Sequence, residues 1–209
     1  MSIAHEHLII GSEMNGTLMT PEEFDTLEDW DEFYKYELIN GVLIVVPAPS
    51  VGERGPNDLL GQLLRNYSEN HQEGSACDYT VSEHTIPYSE NRRRADRVVW
   101  TGLGRMPNER KDMPSIVIEF VSEGRTNRER DYRTKRREYA ELGIREYWII
   151  DRFERQMTVV RNEQQTQTEI PIDESSVYQT PLLPGFELAI ARLFAEADKL
   201  KQAQEELDE

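Results

Sequence analysis

Two acidic residues lie where acids are costly. Glu119 sits inside the run Ile116-Val117-Ile118-Glu119-Phe120-Val121, which is apolar at both alternating sets of positions. A strand of that kind is covered on both faces. An ionised carboxylate there must be paired with a base, hydrogen-bonded or bound to a cation. Asp96 opens a second such run, Asp96-Arg97-Val98-Val99-Trp100. A lone Asp at a strand start is usually solvated, but two acids on strands consecutive in sequence support a joint role. Neighbouring strands lie about 4.8 Å apart, so the two carboxylates can share one divalent cation. Further on, Asp131, Lys135 and Tyr139 are spaced i, i+4 and i+8 and share one face of a helix. An ammonium near two carboxylates can neutralise charge developing on a phosphoryl group or orient a water. The same spacing also describes a surface Asp–Lys pair worth about 0.3–0.5 kcal/mol. Tyr139 reads as a packing residue. Glu37, in Tyr36-Glu37-Leu38-Ile39-Asn40-Gly41, is by spacing alone an ordinary polar position on an alternating strand.

The periodicity of the chain predicts the elements that must position these groups. Thr20-Pro21-Glu22-Glu23 has the form of a helix start and leads into a short acidic helix over 21–32. Asn40-Gly41 between apolar flanks predicts a type I′ hairpin of 34–39 with 42–46. Leu59, Leu60, Leu63, Leu64 and Tyr67 form the stripe of a helix over 57–72. Strands are expected at 78–88, 94–101 and 115–122, then a helix over 128–142 stopped by Gly143. A hairpin of 146–151 with 156–161, a turn at 181–185 and a terminal helix over 186–201 complete the order. The fold class is α/β (α+β): a mixed β-sheet flanked by helices, with an N-terminal β-hairpin. No composition break divides it, so the expected organisation is an arm over 1–20, a single domain over 21–195 and an acidic tail over 196–209.

Charge bears on the partner. The 209 residues hold 24 basic and 40 acidic side chains, a net charge of −16, which argues against a general nucleic-acid binder. The distribution is uneven. Residues 92–137 hold 14 basic and 7 acidic side chains, while 1–34 hold nine acids and no Lys or Arg. A basic middle between acidic ends suits contact with a polyanion, or else two solvated helix faces. A single cysteine, Cys77, excludes an internal disulfide and a Cys-rich zinc site. Of the four histidines only His5 and His7 are spaced like metal ligands. No run approaches the ~20 apolar residues of a membrane span, and no secretory signal is visible, so a cytoplasmic protein is expected.

Five segments in order resemble a known family: Tyr36–Gly41, Asp96–Trp100, Ile118–Ser122, Asp131–Tyr139 and Gly143–Asp151. With Leu182-Leu183-Pro184-Gly185-Phe186 they are similar to the Uma-two type putative restriction endonucleases, within the PD-(D/E)xK nuclease superfamily. The resemblance covers roughly residues 30–195. It implies a restriction-endonuclease-like fold and metal-dependent hydrolysis of phosphodiester bonds in DNA, with Mg²⁺ or Mn²⁺ as cofactor. Residue by residue, it makes Asp96 and Glu119 metal ligands, Lys135 the catalytic lysine on the following helix, and Glu37 a helper in metal or water binding. Arg128, Arg133 and Arg136 would contact substrate phosphates, and a homodimer is expected by analogy with enzymes that cut both strands. The chain departs from the pattern at three places. Ala95 replaces a Pro, Val121 replaces the Lys of E-x-K, and Asn57 and Asp58 stand where this family commonly has His. The rival reading is a nuclease-fold module, weakly active or inactive, that serves in protein interaction or regulation.

Overall fold

The computed structural model describes residues 11–124, 128–163 and 166–208, with side chains up to Lys199. The His5/His7 pair, Arg125 and the side chains from Leu200 onward, including the last acids of the tail, lie outside the described residues. The chain divides into two compact units, one within Met1–Pro49 and Thr85–Arg94, the other within Ser50–His84 and Ala95–Glu209.

In the first unit, Thr20 caps helix α1 (Pro21–Asp25): its Oγ1 accepts the Glu23 N–H at 3.2 Å, and Glu23 Oε2 accepts the Thr20 N–H at 2.8 Å. The helix is much shorter than the sequence pattern predicts. The Thr26 hydroxyl donates to the Glu23 carbonyl at 2.9 Å where the helix stops. Strands β1 (Tyr34–Ile39) and β2 (Val42–Pro47) form the predicted hairpin, with Asn40 at φ 50° and Gly41 at φ 74°. Those positive angles are what a type I′ turn requires. Residues before α1 also join this hairpin, since Gly16 N–H donates to Leu43 and Met19 N–H to Gly41, both at 2.8 Å. Phe24, Tyr36, Leu38 and Leu43 make the core, with the Trp30 ring tilted against those of Phe24 and Tyr36.

The second unit opens with α2 (Val51–Asn70), six residues earlier than its leucine stripe alone suggests. Ser50 and Glu53 fix that start: the Ser50 N–H and hydroxyl donate to Glu53 Oε2 at 2.7 and 2.6 Å. Strands β3 (Cys77–Tyr88) and β4 (Asn91–Thr101) cross the boundary between the units. Within the second unit the strand order is β4, β5 (Ile116–Phe120), β6 (Glu146–Asp151), β7 (Gln156–Glu163) and β8 (Thr166–Asp173), with β3 also on β4. Only β5 and β6 are parallel in that series. The connection between them carries the expected helix, whose first part, Arg130–Lys135, is π-helical and whose second, α3 (Arg136–Glu141), is α-helical. Gly143, at φ 75°, follows its end. Strand β8 is mostly exposed, with only Ile170 and Ile172 packed against the core, which is why its sequence carries little strand signal. A short β9 (Val177–Tyr178) pairs with β10 (Leu188–Ala189), and α4 (Ile190–Asp208) ends the chain.

The two faces of this sheet differ. Val99, Ile116, Ile118, Trp148 and Ile150 pack with α2 and α4 through Leu60, Leu64, Leu193 and Phe194. By strand alternation, Asp96, Glu119 and Tyr147 point to the other face, where the crossover helix lies.

Candidate active site

The geometry of the acids follows from the β4–β5 register. Arg97 pairs with Ile118 and Val98 with Val117, antiparallel, so continuing the register sets Asp96 opposite Glu119. The ladder ends there. The Phe120 N–H donates at 2.7 Å to Oδ2 of Asp96, a side-chain acceptor. Both acids are buried, Asp96 at 7% exposure and Glu119 at 2%.

Glu119 meets the helix. Its Oε1 is 2.8 Å from Nζ of Lys135 and accepts the Tyr139 hydroxyl at 3.0 Å. Lys135 is 1% exposed and also lies 3.7 Å from Asp131, itself buried. The i, i+4 pair is therefore an interior one rather than a surface one. Tyr139 does more than pack: it holds one oxygen of Glu119. The fully buried Tyr147 hydroxyl donates to the Asp131 carbonyl at 3.1 Å, and its ring meets Tyr139 edge-on at 5.1 Å. Burial first, then the negative charges of Asp131, Glu119 and Asp96, push the Tyr147 pKa well above its usual value. One phenol thus senses all three carboxylates. Tyr147 is the site residue that sequence reasoning passed over. Its signal was available: in Glu146–Asp151 it alternates onto the same face as Glu119.

Glu37 is buried in the first unit, 3.5 Å from the Arg93 guanidinium, and accepts the Arg94 N–H at 3.0 Å. Arg128 pairs with Asp151 and Glu154, Arg136 with Glu169, and Arg133 with Glu129 at 3.3 Å. Arg128 and Arg133, with Glu129 and Glu154, line a cleft of about 650 Å³. The basic run is thus largely matched by carboxylates. Arg130, by contrast, is turned toward the buried cluster, its Nε 3.3 Å from Asp131.

Among the described residues no group of three or more His, Cys, Asp or Glu is placed to hold a metal ion. What the strands offer is a pair of carboxylates on facing positions. All-oxygen donors of that kind suit a hard divalent cation such as Mg²⁺ or Mn²⁺ and do not suit zinc. Mg²⁺ commonly takes one or two protein carboxylates and fills its other positions with water and phosphate oxygens, so the pair fits such an ion.

Among the described residues no helix is long and apolar enough to cross a membrane. Among curated proteins no sequence matches the chain. Among solved structures the chain is similar to a putative nuclease of DUF820 from Anabaena variabilis ATCC 29413, at a TM-score of 0.65 and 19% identity, covering 86% of this chain and 99% of that one. That likeness shows the nuclease fold of the sheet and its helices. The profile of the Uma2 family, described as putative restriction endonuclease, matches residues 21–191. With that match spanning most of its length, the chain belongs to the Uma2 family.

Proposed function

We propose that the chain is an endonuclease that uses Mg²⁺ or Mn²⁺ to hydrolyse phosphodiester bonds in DNA. One observation carries the reading: Asp96 and Glu119 face each other across β4 and β5, with the Lys135 ammonium 2.8 Å from Glu119. Membership of a family of putative restriction endonucleases supports the substrate. A divalent cation held there would lower the pKa of a bound water and polarise a phosphoryl oxygen. Asp96 and Glu119 would hold it through carboxylate oxygens. The Phe120 N–H orients the first carboxylate and the Tyr139 hydroxyl the second. Lys135 offsets negative charge that grows on the phosphoryl group in the transition state. Glu37 and the arginines Arg128, Arg133 and Arg136 have subordinate parts, as helper and as phosphate contacts. A homodimer belongs to the same reading, since cutting two strands calls for two sites.

The test is cleavage of plasmid and oligonucleotide DNA with Mg²⁺ or Mn²⁺, comparing wild type with Asp96→Ala, Glu119→Ala and Lys135→Ala. Cleavage in the wild type and its loss in the first two supports the reading; equal cleavage by all four proteins assigns the activity to a contaminant.

A second reading, an inactive nuclease-fold module, is favoured by one feature. Lys135 and Tyr139 already satisfy the buried charge of Glu119 without a metal ion. Titration with Mn²⁺ separates the two, because only the enzyme requires a site that Glu119→Ala removes.

A further inference from the structure

The β4 backbone at Asp96 is held by an arrangement that the chemistry above does not use. The ladder to β5 has its last pair at Arg97 and Ile118, and the Phe120 N–H beyond it goes to the Asp96 carboxylate. A buried carbonyl at the end of a ladder needs a donor from elsewhere. Asn57 of α2 supplies it, with Nδ2 donating to the Asp96 carbonyl at 3.0 Å. The amide is fixed in that orientation. Its Oδ1 accepts from Nε of Arg97 at 2.7 Å, and a guanidinium can only donate. The oxygen must therefore face Arg97 and the NH₂ must face Asp96.

Arg97 is in turn held tightly. Its Nη1 donates to Oγ1 of Thr80 at 3.3 Å, and that hydroxyl donates to the Val98 carbonyl at 2.9 Å. The guanidinium lies against Gly61, where a Cβ would come within 2.5 Å of Nη2. Only glycine permits so close an approach. Arg97 is 3% exposed and, among the described residues, makes no ion pair with a carboxylate. A buried cation whose hydrogen bonds go only to an amide and a hydroxyl is a poor source of stability compared with an apolar side chain. Its effect is to leave Asn57 a single orientation.

We propose that Asn57, its amide aimed by Arg97, is a positioning residue that fixes the β4 backbone at Asp96 and so the direction of the Asp96 carboxylate. The assignment deepens the nuclease reading and rests on it for its purpose, but its structural claim can be judged without metal. The relay lies on the α2 side of the sheet and the carboxylates on the other, so Asn57 acts through the strand and not by contact with the substrate.

The experiment uses the full chain. Asn57→Asp is isosteric: it keeps an acceptor for Arg97 and removes the donor to Asp96. Asn57→Ala removes both. Amide hydrogen exchange in metal-free protein reports the Phe120 N–H, with Val117 as the internal reference, and thermal melting reports the fold. We expect Phe120 to exchange about tenfold faster in both variants, with Val117 unchanged. Mn²⁺ binding, followed by electron paramagnetic resonance, should weaken by about 10–100-fold. Should Asn57→Ala melt early, Asn57→Asp alone decides, because Arg97 keeps its partner. Wild-type protection of Phe120 in the folded variant overturns the proposal. Failure of the nuclease reading looks different: the wild type binds no Mn²⁺, or binding survives Asp96→Ala. In that case the Phe120 exchange still decides whether Asn57 positions Asp96.

Discussion

Glu119 and Glu146 lie on the adjoining parallel strands β5 and β6, Glu146 beside Ile116 near the start of the pair and Glu119 beside Ile149 near its end. Each is almost wholly buried, and each meets one cation and one tyrosine hydroxyl. Their surroundings nonetheless differ. Glu146 has both oxygens engaged: Oε1 takes Arg161 Nε at 3.0 Å, while Oε2 takes Trp148 Nε1 at 2.9 Å and the Tyr178 hydroxyl at 3.0 Å. Its donors come from β6 itself, from β7 and from β9. Burial and then the Glu146 charge hold the Tyr178 pKa well above the ordinary phenol range. Glu119 takes its donors from the crossover helix and has a second acid opposite it. Ligands in open α/β sheets gather at the carboxyl ends of parallel strands, which is the end that Glu119 occupies. A buried carboxylate closed in by rigid donors is a structural staple. One that faces another carboxylate, with a lysine ammonium beside it, is suited to exchange partners.

Substitutions can break that contrast. The largest effect is expected for Glu119→Ala and Asp96→Ala, which should lower DNA cleavage by about 1000-fold or more, since a metal site supplies several kcal/mol to the transition state. Mn²⁺ titration of the same proteins should show no saturable site. Lys135→Met should cost about 100-fold in cleavage yet keep Mn²⁺ binding, because it removes a competitor for Glu119; lost binding would recast Lys135 as a purely structural cation. Glu146→Ala should do the reverse. It leaves Arg161 and two ring donors without their acceptor and should lower stability by about 3 kcal/mol, read by urea unfolding, while the folded fraction binds Mn²⁺ as before. Arg133→Gln should change stability by less than about 0.5 kcal/mol, and the salt slope of DNA binding by about one unit if that side chain meets a phosphate. The smallest effect belongs to Asp112, a half-buried acid in a surface loop. The Arg105 guanidinium, then the Asn108 N–H, holds the Asp112 carboxyl at about 2, below its ordinary 3.8. Its contribution is complete above the ordinary value and is lost as pH falls toward about 2. Asp112→Asn should flatten that limb of an acid-unfolding curve.

Much of this was legible in the residues, and the exceptions have physical reasons. The hairpin at Asn40-Gly41 was plain because positive φ angles restrict residue choice. Asp96 and Glu119 stood out because acids in apolar strands are rare. Lys135 was ambiguous, since i, i+4 spacing cannot tell an inward face from an outward one until the sheet beneath is known. Strand β8 was missed because an exposed strand needs no apolar alternation. The π-helical stretch Arg130–Lys135 had no signal in composition. Asn57 was noticed only as the absence of another residue; its value depends on an Asp96 carbonyl 39 positions away, which no local pattern encodes.

The first unit is not one stretch of chain. The Glu37 carboxylate waits 56 residues for Arg93, and β1 gains its β4 neighbour only at Arg92. During synthesis the N-terminal hairpin must therefore persist half-finished while the whole of α2 emerges, the kind of distant closure that slows folding. No single cut can excise that unit intact. A truncation after Pro49 would strand a buried glutamate without its base, so shortened versions of this protein should be sought from the other end.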